Sequence, residues 1–506
     1  MKVPVAVVGA GIMGAGIAQV ASVAGHPVTL FDAVPGAAGR AVESVRRRVE
    51  SLAAKGKAHV DARDLDLSEA GTLADLVPAG VVVEAVVEDL DAKRRLFAEL
   101  ENVVGDECVL ATNTSSLSPT ALAAGLRHPQ RLVGMHFFNP VPLMRLVEVV
   151  PGLATSDGVV AAASDLAGSW GKTVVRSTPT PGFIVNRVAR PFYAEAWRLY
   201  QEGAAGPATI DAVITGAGGF RMGPFALMDL IGHDVNEAVT RTVWSGFGHD
   251  PRFEPSLAQR ELVSAGWYGR KSGRGIYDHG PGAAAPAAEP FRECPAPAEV
   301  ACHGPSALDA LIARAGVAVR QVLGPVGTET PAGDRALPAA PVELPSGTLL
   351  ARCDGTPAAE VAARCGAPVV VVDRCLDDAA ATATAIACSE GCPERGVEEA
   401  AGLLQAASLD VHLIDDAPGL VVTRTVAMLV NLAADAVHRG VAVPEDVDTA
   451  MRLGTNSPVG PLEWGDRWGA GVVVSVLDAM QSAYGDSRYR PSPLLRRRAL
   501  SGRPLR

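Results

Sequence analysis

Three glycines near the start of the chain restrict its fold more than any other feature. Gly9, Gly11 and Gly14 follow a β-branched run over residues 3–9 and precede a helix-forming run over residues 12–24. A strand, a glycine turn and a helix in this order are typical of the first βα unit of a dinucleotide-binding sheet. The glycines make the turn, let a pyrophosphate approach the backbone, and let helix and strand pack closely. The pattern therefore predicts a cofactor loop rather than a signal peptide or a membrane span.

The residues around and after these glycines indicate which dinucleotide is bound. Ile12 and Met13 lie between the second and third glycines and complete the predicted cofactor loop. Asp32 ends the next predicted strand, residues 27–32, at a spacing where a carboxylate binds the hydroxyls of the adenosine ribose. It would repel the 2′-phosphate of NADP, and residue 33 is alanine rather than an arginine able to receive that group. Asp32 therefore predicts NAD, against the alternative of a structural aspartate in a strand-end turn.

Alternating strands and helices place this loop in a larger sheet. Short buried strands are predicted at residues 81–87, 108–112 and 131–136, with helical stretches between them. Such alternation is typical of a parallel sheet with helices on both faces. We predict an α/β Rossmann domain with a doubly wound parallel sheet over residues 1–180, followed by an all-α helical domain over residues 181–280.

An internal repeat organises the rest of the chain. The motif PGFIVNR at 181–187 recurs as PGLVVTR at 418–424, and MGPF at 222–225 recurs as VGPL at 459–462. The spacing from the first motif to its recurrence is the same for both pairs. Two unrelated motifs with one offset predict a second copy of the helical domain, over residues 416–506.

The two segments between the helical copies have different predicted characters. Residues 281–339 begin rich in proline, alanine and glycine, and are predicted to be a linker and irregular segment. Residues 340–415 show a helix-then-strand pattern and are predicted to be a reduced α/β remnant of the first domain. This remnant has no comparable glycine pattern, so we expect it to bind no dinucleotide.

Charge and cysteine content argue against several functional classes. The formal net charge of −11 over 506 residues disfavours nucleic-acid binding. Seven of the eight cysteines lie between residues 294 and 392 without C-x-x-C spacing, so no metal site is predicted. Without a recognisable secretory signal, we expect a cytoplasmic protein with reduced thiols and no membrane association.

A local basic cluster is either a phosphate contact or a solvated helix face, and consists of Arg46, Arg47, Arg48, Lys55 and Lys57.

Two polar segments at predicted strand ends carry candidate chemistry. The run TNTSSL at 112–117 lies where open parallel sheets place ligand contacts, although such a run can also cap a helix. His136 ends another predicted strand, and Glu148 follows twelve residues later. A histidine can take the hydroxyl proton as a secondary alcohol loses hydride, and a carboxylate can hold its tautomer. A lone histidine is more often an ordinary polar residue, but this combination favours an alcohol-oxidising enzyme.

Together these motifs resemble the 3-hydroxyacyl-CoA dehydrogenase family. The likeness covers residues 1 to about 280 closely and residues 410–506 more weakly. The segments that carry it are GAGIMGAGIA, TNTSSL, HFFNPVPLMRLVEVV, TPGFIVNR, MGPFALMDLIG and GRKSGRGIY. The resemblance implies NAD-dependent oxidation of an (S)-3-hydroxyacyl-CoA to a 3-ketoacyl-CoA.

The resemblance also implies roles for individual residues. His136 would be the general base, Glu148 its charge partner, and Ser115 the group that binds the substrate hydroxyl. Asn186 would position substrate and nicotinamide, or would merely cap the following helix. The implied cofactor contacts, beyond the glycine loop and Asp32, are Glu88, Lys93, Ser115, Asn139 and Lys271, with Lys55 as a CoA phosphate contact. Glu88 and Lys93 have an alternative interpretation as a helix-surface pair.

The second half of the chain departs from the family pattern. Thr423 occupies the place of Asn186, and no segment like HFFNP precedes it, so catalysis is assigned to the first copy. We expect the second helical copy to pack against the first as an internal pseudo-dimer, although a homodimer of whole chains stays open. The doubled arrangement and the tail 484–493 resemble the branch that acts on 3-hydroxyadipyl-CoA or 3-hydroxybutyryl-CoA, associated with phenylacetate and short-chain acyl-CoA breakdown.

Three alternatives follow from the same motifs. Relatives that oxidise free hydroxy acids or sugar acids share the glycine loop and the HFFNP region. Related folds also serve as non-catalytic NAD-binding proteins, but intact Ser115, His136, Glu148 and Asn186 argue against this role. A bifunctional hydratase–dehydrogenase is disfavoured because residues 298–400 show no recognisable hydratase pattern.

Overall fold

The structure is a computed structural model that describes residues 2–56, 60–322 and 340–506. Lys57 of the predicted basic cluster and residues 323–339 of the predicted linker therefore lie outside the described residues. The chain forms two compact units. The first unit contains Met1–Arg187 and Arg439–Thr455, and the second contains Val188–His438 and Asn456–Arg506.

An eight-stranded sheet forms the centre of the first unit. Its strands are β1 (Val5–Val8), β2 (Val28–Phe31), β3 (Leu67–Glu69), β4 (Val81–Glu84), β5 (Val109–Thr112), β6 (Leu132–Phe137), β7 (Leu146–Pro151) and β8 (Thr173–Arg176). Their order is β3-β2-β1-β4-β5-β6-β7-β8, so the chain starts inside the sheet and winds outward in both directions. The predicted doubly wound Rossmann domain is confirmed.

Helices cover both faces of this sheet, which explains why its strands are apolar runs. The helices are α1 (Ile12–Val23), α2 (Ala37–Ala54), α3 (Leu90–Val103), α4 (Pro119–Ala123) and α5 (Asp157–Ser169). One core joins the sheet to α1, α2 and α5, and a second core on the opposite face joins it to α3 and α4.

One strand pair departs from the predicted parallel arrangement. β6 and β7 are antiparallel, whereas the other pairs of the first sheet are parallel. The connection over residues 138–145 is too short for the crossover that a parallel pair requires. The antiparallel pair places residues of the two strands directly opposite each other.

A run of helices follows the sheet along the chain and forms the first helical copy. These are α6 (Val185–Val188), α7 (Arg190–Gln201), α8 (Pro207–Gly216), α9 (Pro224–Ile231), α10 (His233–Gly246) and α11 (Leu257–Ser264). A second sheet follows with strands β9 (Glu299–Cys302), β10 (Ala318–Gln321), β11 (Val342–Glu343), β12 (Leu349–Arg352), β13 (Val369–Val372), β14 (Ala383–Cys388) and β15 (Asp410–Leu413). Its strand order is β10-β9-β11-β12-β13-β14-β15.

The second sheet begins earlier than the sequence predicts. Helices α12 (Asp309–Ala315), α13 (Ala358–Cys365) and α14 (Glu394–Ala406) lie along it. β9, α12 and β10 fall inside residues 281–339, so the irregular assignment of that segment was wrong over residues 299–321. The two strands were not predicted because both are short. In addition, every residue of β10 is exposed, so this strand lacks the buried apolar run by which strands are predicted.

The second sheet repeats part of the first at the offset of the helical motifs. β14 and β15 begin and end at the positions that this offset gives from β7 and β8, and β13 begins at the position that it gives from β6. The pairing is also repeated, since β13 and β14 are antiparallel and β14 and β15 are parallel. The predicted reduced α/β remnant is therefore confirmed.

The second helical copy contains α15 (Val422–His438), α16 (Pro444–Gly454), α17 (Pro461–Trp468), α18 (Ala470–Tyr484) and α19 (Pro493–Ser501). Within the second unit, α15 packs against α7 of the first copy. Arg424 on α15 is fully buried and donates to the Glu195 carboxylate, at 3.2 Å, and to the Tyr489 hydroxyl, at 2.9 Å. The expected interface between the two helical copies is present.

Equivalent helices of the two copies pack on the two sheets. α16 packs on β7 and β8 within the first unit, where the Arg176 amide donates to the Asp446 carboxylate at 3.0 Å. α8, whose first residue is the equivalent of the first residue of α16 in the repeat, packs on β14 within the second unit. Each helical copy therefore contributes one helix to the sheet of the other copy. This exchange separates Arg439–Thr455 from the rest of the predicted domain 416–506.

Candidate active site

The antiparallel strands β6 and β7 bring a histidine and a carboxylate together. His136 and Glu148 are direct cross-strand partners, so their side chains emerge on the same face of the sheet. The His136 Nδ1 atom lies 2.6 Å from a carboxylate oxygen of Glu148, and both side chains are buried. With Nδ1–H donated to this carboxylate, the Nε2 atom is the ring nitrogen that can accept a proton.

The other oxygen of Glu148 holds the backbone at the start of the helical domain. It accepts hydrogen bonds from the amides of Ile184, at 2.9 Å, and Val185, at 3.0 Å. Gly182 and Phe183 before them have positive φ values of 75° and 47°, and this turn points successive amides at the carboxylate. Glu148 thus orients the imidazole while its own position is fixed.

Aromatic rings surround the His136 imidazole. The ring of Phe138 lies 4.4 Å from it and that of Phe183 lies 5.8 Å from it, measured between centroids. Apolar walls of this kind lower the local dielectric constant and strengthen the hydrogen bond to Glu148.

Glu88 organises the polar run that follows β5. One carboxylate oxygen accepts from the Thr114 hydroxyl at 2.6 Å, the Ser115 amide at 3.0 Å and the Ser116 amide at 3.2 Å. Burial alone would raise the pKa of Glu88, but the Lys93 ammonium and the Thr114 and Ser116 hydroxyls hold it below its usual value. The ionised carboxylate therefore shapes the loop that presents Ser115.

Lys93 lies in a buried cluster rather than on a helix surface. Its side chain is 1% exposed, and its ammonium contacts Glu84 at 2.6 Å and Glu88 at 3.2 Å. The alternative of a helix-surface pair holds for the pairing and for the exposed Glu88, but not for Lys93, which is buried. Glu84 was not predicted as a site residue, although a glutamate inside the apolar run VVVEAVV is a signal for a buried, paired carboxylate. The second carboxylate oxygen of Glu84 accepts from the Thr112 hydroxyl at 2.7 Å.

Asn113 and Asn186 each link two segments of the site. The Asn113 side-chain oxygen accepts from the Phe137 amide at 2.8 Å and ties the end of β5 to the end of β6. The Asn186 amide group lies 3.5 Å from the Ser115 carbonyl oxygen, a long hydrogen bond. Within the first unit, the structure thus links Asn186 with Ser115 and His136 with Glu148, at the carboxyl ends of adjacent strands.

The glycine turn has the shape that a dinucleotide requires. Gly9 has a φ of 108°, and a Cβ atom at Gly14 would lie 1.8 Å from the Gly9 carbonyl oxygen. A Cβ atom at Gly11 would meet nothing among the described residues within 4 Å, so local packing does not explain this glycine. It caps α1 without a side-chain hydrogen bond, which leaves helix amides available to a pyrophosphate. Ile12 next to it is 75% exposed.

Asp32 lies beside this turn at the end of β2. Its two carboxylate oxygens accept from the amides of Ala10, at 2.7 Å, and Val34, at 2.8 Å. The carboxylate is therefore held at the glycine loop with further lone pairs available, as a contact with ribose hydroxyls requires. The geometry fits NAD.

The other residues predicted to contact the cofactor or CoA have the following positions in the structure. Asn139 follows β6 in the segment after His136. Lys55 lies just after α2 and is exposed, whereas Arg46 donates to the carbonyls of Ala62, Leu65 and Leu67 and serves the fold. Lys271 lies in the second unit, where its ammonium contacts Asp234 at 2.7 Å. Met13 is half-buried in α1.

The second copy has an aspartate where the first copy has its histidine. At the offset of the repeat, Asp373 is the equivalent of His136, and Ala385 is the equivalent of Glu148. Asp373 accepts from the amides of Val421, at 3.0 Å, and Val422, at 2.7 Å, the equivalents of Ile184 and Val185. Burial raises the pKa of Asp373, against the lowering effect of these hydrogen bonds and the Thr423 hydroxyl. The second copy keeps the structural half of the arrangement and lacks the imidazole.

Residues 2–56, 60–322 and 340–506 contain no group of three or more histidine, cysteine, aspartate or glutamate side chains suited to a metal ion. No helix in the same ranges is long and apolar enough to cross a membrane. All eight cysteines are described, and each is a free thiol.

Family models match most of the chain. The model for the 3-hydroxyacyl-CoA dehydrogenase NAD binding domain matches residues 4–179. That for the 3-hydroxyacyl-CoA dehydrogenase C-terminal domain matches residues 182–279 and again 419–506. The reduced Rossmann-fold domain of 3-hydroxybutyryl-CoA dehydrogenase matches residues 350–418.

Individual relatives agree with these models. The 3-hydroxyadipyl-CoA dehydrogenase of Escherichia coli K12 is 42% identical over 98% of this chain and 97% of its own. The mitochondrial hydroxyacyl-coenzyme A dehydrogenase of Sus scrofa is 38% identical over 54% of this chain and 90% of its own. A crystal structure of 3-hydroxybutyryl-CoA dehydrogenase from E. coli K12 is 42% identical, covers 99% of this chain and 100% of its own, and superimposes with a TM-score of 0.85. The chain belongs to the 3-hydroxyacyl-CoA dehydrogenase family.

Proposed function

We propose that the protein oxidises (S)-3-hydroxyacyl-CoA thioesters to 3-ketoacyl-CoA with NAD, and catalyses the reverse reduction by the same path. The observation that carries this proposal is the buried hydrogen bond between His136 and Glu148. It lies at the carboxyl ends of strands in a Rossmann domain, where open α/β sheets bind their ligands.

His136 acts as the general base. Its Nε2 atom takes the proton of the 3-hydroxyl group, while Glu148 accepts from Nδ1–H and stabilises the imidazolium that forms. NAD, when bound, supplies the acceptor for the hydride that leaves C3. Phe138 and Phe183 limit the access of water to the imidazole.

Ser115 and Asn186 hold the substrate. The Ser115 hydroxyl binds the 3-hydroxyl group and keeps it within reach of His136, and the Asn186 amide binds the thioester oxygen or a bound water. The Glu88 carboxylate supports this arrangement because it fixes the Ser115 and Ser116 amides.

The cofactor is assigned to the glycine turn. Gly9, Gly11, Ile12, Met13 and Gly14 form its pyrophosphate loop, and Asp32 binds the adenosine ribose. We extend the cofactor contacts to Glu88, Lys93, Ser115, Asn139 and Lys271, and assign Lys55 to a phosphate of CoA. Lys93 would act mainly through Glu88, since its ammonium is occupied by Glu84 and Glu88.

The acyl chain is proposed to be short or of adipyl type. Two proteins that resemble this chain over nearly its whole length carry the names 3-hydroxyadipyl-CoA dehydrogenase and 3-hydroxybutyryl-CoA dehydrogenase. We further propose that the enzyme works in the cytoplasm. Its helical copies, 181–280 and 416–506, supply within one chain a contact that shorter relatives make between chains.

A substrate panel tests this function. NADH absorbance is followed with 3-ketoacyl-CoA thioesters of increasing chain length, including the adipyl compound, and with free 3-hydroxybutyrate and L-gulonate in the oxidative direction. We expect turnover with thioesters and little with the free acids. Preference for a free acid would replace the proposed substrate class, and NADH binding without any turnover would favour a non-catalytic role.

A further inference from the structure

A cavity in the second unit contains a buried arginine without an anionic partner. The cavity has a volume of about 290 Å³ and lies among α7, α10 and α11. Arg190 lines it, is only 5% exposed, and forms no ion pair with any carboxylate in the described part of the chain. Of its guanidinium nitrogens, Nη1 donates to the Thr240 hydroxyl at 3.0 Å, whereas Nε is buried without a hydrogen-bond partner.

The other charged side chains that line the cavity are already neutralised. Arg198 is paired with Glu195, and Arg488 contacts Glu254 at 3.0 Å. Glu202 contacts Arg424 at 3.4 Å and accepts from the Tyr484 hydroxyl at 2.7 Å. Arg190 is therefore the charged group of this lining without an ionic partner; its guanidinium carbon lies 4.9 Å from the centroid of the Tyr193 ring, a cation–π contact. Burying a cation without a counter-ion is costly, and burial accordingly lowers the pKa of Arg190.

The surroundings of Arg190 indicate what kind of anion fits. A guanidinium matches the planar, bidentate geometry of a carboxylate. Burial raises the pKa of Tyr193, which lines the cavity beside Arg190, so its hydroxyl stays protonated as a donor. Trp197 and Leu257 supply apolar wall. The lining thus suits a single carboxylate on a short carbon chain.

We propose that this cavity is a carboxylate-binding site in which the Arg190 guanidinium is the counter-ion of the ligand. The ligand is a free short-chain carboxylic acid. The site lies within the second unit and does not depend on the proposed function.

The experiment measures carboxylate binding directly. Hexanoate is titrated into the wild-type protein and into Arg190→Met by calorimetry. Arg241→Met removes an equal charge from α10 outside the cavity and serves as the control.

Arg190→Met should weaken hexanoate binding by about tenfold to hundredfold, as expected for a charged hydrogen bond. Arg241→Met should change this affinity by no more than about twofold. Arg190→Lys keeps the charge and should retain part of the affinity, and circular dichroism with thermal unfolding verifies that each variant is folded.

Weaker binding by Arg190→Met, with Arg241→Met unchanged, supports the site. The proposal is wrong if the wild-type protein does not bind hexanoate saturably, a result that needs no variant. It is also wrong if Arg241→Met reproduces the effect of Arg190→Met. Absence of dehydrogenase activity would remove the proposed function and leave the hexanoate result valid.

Discussion

At the scale of single residues, the two oxygens of Glu148 have separate tasks. One accepts from the imidazole of His136, and the other accepts from two backbone amides at the start of the helical domain. A substitution at this position should therefore affect both the protonation of the base and the local backbone. The two effects can be separated because Asp373 performs only the second task in the repeat.

Glu148→Gln should lower turnover by about 10² to 10⁴, the range associated with impaired general base catalysis. Glutamine keeps the shape but loses the charge that stabilises the imidazolium. The double variant His136→Gln/Glu148→Gln should be no worse than His136→Gln alone, since both residues act as one unit. Additive losses in kcat would show that Glu148 acts independently of the imidazole.

At the scale of elements, Asp373 holds the backbone before α15 as Glu148 holds the backbone at the start of the first helical copy. Asp373→Asn should lower the apparent free energy of unfolding by about 1–3 kcal/mol, because buried amides lose an acceptor. Turnover measured well below the unfolding temperature should stay within about twofold of the wild-type value. Chemical denaturation and steady-state kinetics check the two parts. A large loss of turnover in a folded Asp373→Asn protein would contradict the claim that Asp373 has only a structural role.

The cysteine thiols between residues 294 and 392 should differ sharply in their rates of alkylation. Burial raises the pKa of Cys353 and of Cys375 to about 12, and both side chains are buried. At pH 8 roughly one in ten thousand of these thiols would be ionised, and thiolate is the reactive form. Iodoacetamide should therefore modify the partly exposed Cys294 and Cys392 first, as peptide mass spectrometry can show. Equal rates in the folded protein would refute this prediction.

At the scale of the whole molecule, the exchange of α8 and α16 makes the two halves of the chain depend on each other. A fragment of residues 1–280 keeps β7 and β8 but loses α16, which covers them. An uncovered edge favours association, and a second fragment can supply its α8 instead. We expect the fragment to be a dimer by light scattering. A stable monomeric fragment would contradict the exchange model.

The sequence predicts the fold where local patterns carry it. The glycine turn, the alternating strands and the repeat of the helical motifs each follow from spacing alone. The antiparallel β7 could not be predicted in the same way, because a buried apolar run looks alike in either direction. That direction is what places Glu148 opposite His136.

Residues whose role depends on distant partners were harder to predict. Glu84 and Asp373 are lone carboxylates in apolar segments. Only the folded chain shows that Glu84 contacts Lys93 and that Asp373 accepts from the backbone amides of residues 421–423. The Arg190 cavity likewise depends on three helices that are separated along the chain. Such contacts leave no periodic pattern for sequence analysis to detect.

The most direct test of the account is turnover after replacement of the proposed base. His136→Gln should lower kcat for a 3-hydroxyacyl-CoA by about 10² to 10⁴ while the affinity for NADH changes little. His128→Gln, at a partly exposed histidine just before β6, should retain normal turnover. Near-normal kcat in folded His136→Gln would contradict the central claim that the imidazole held by Glu148 takes the substrate proton.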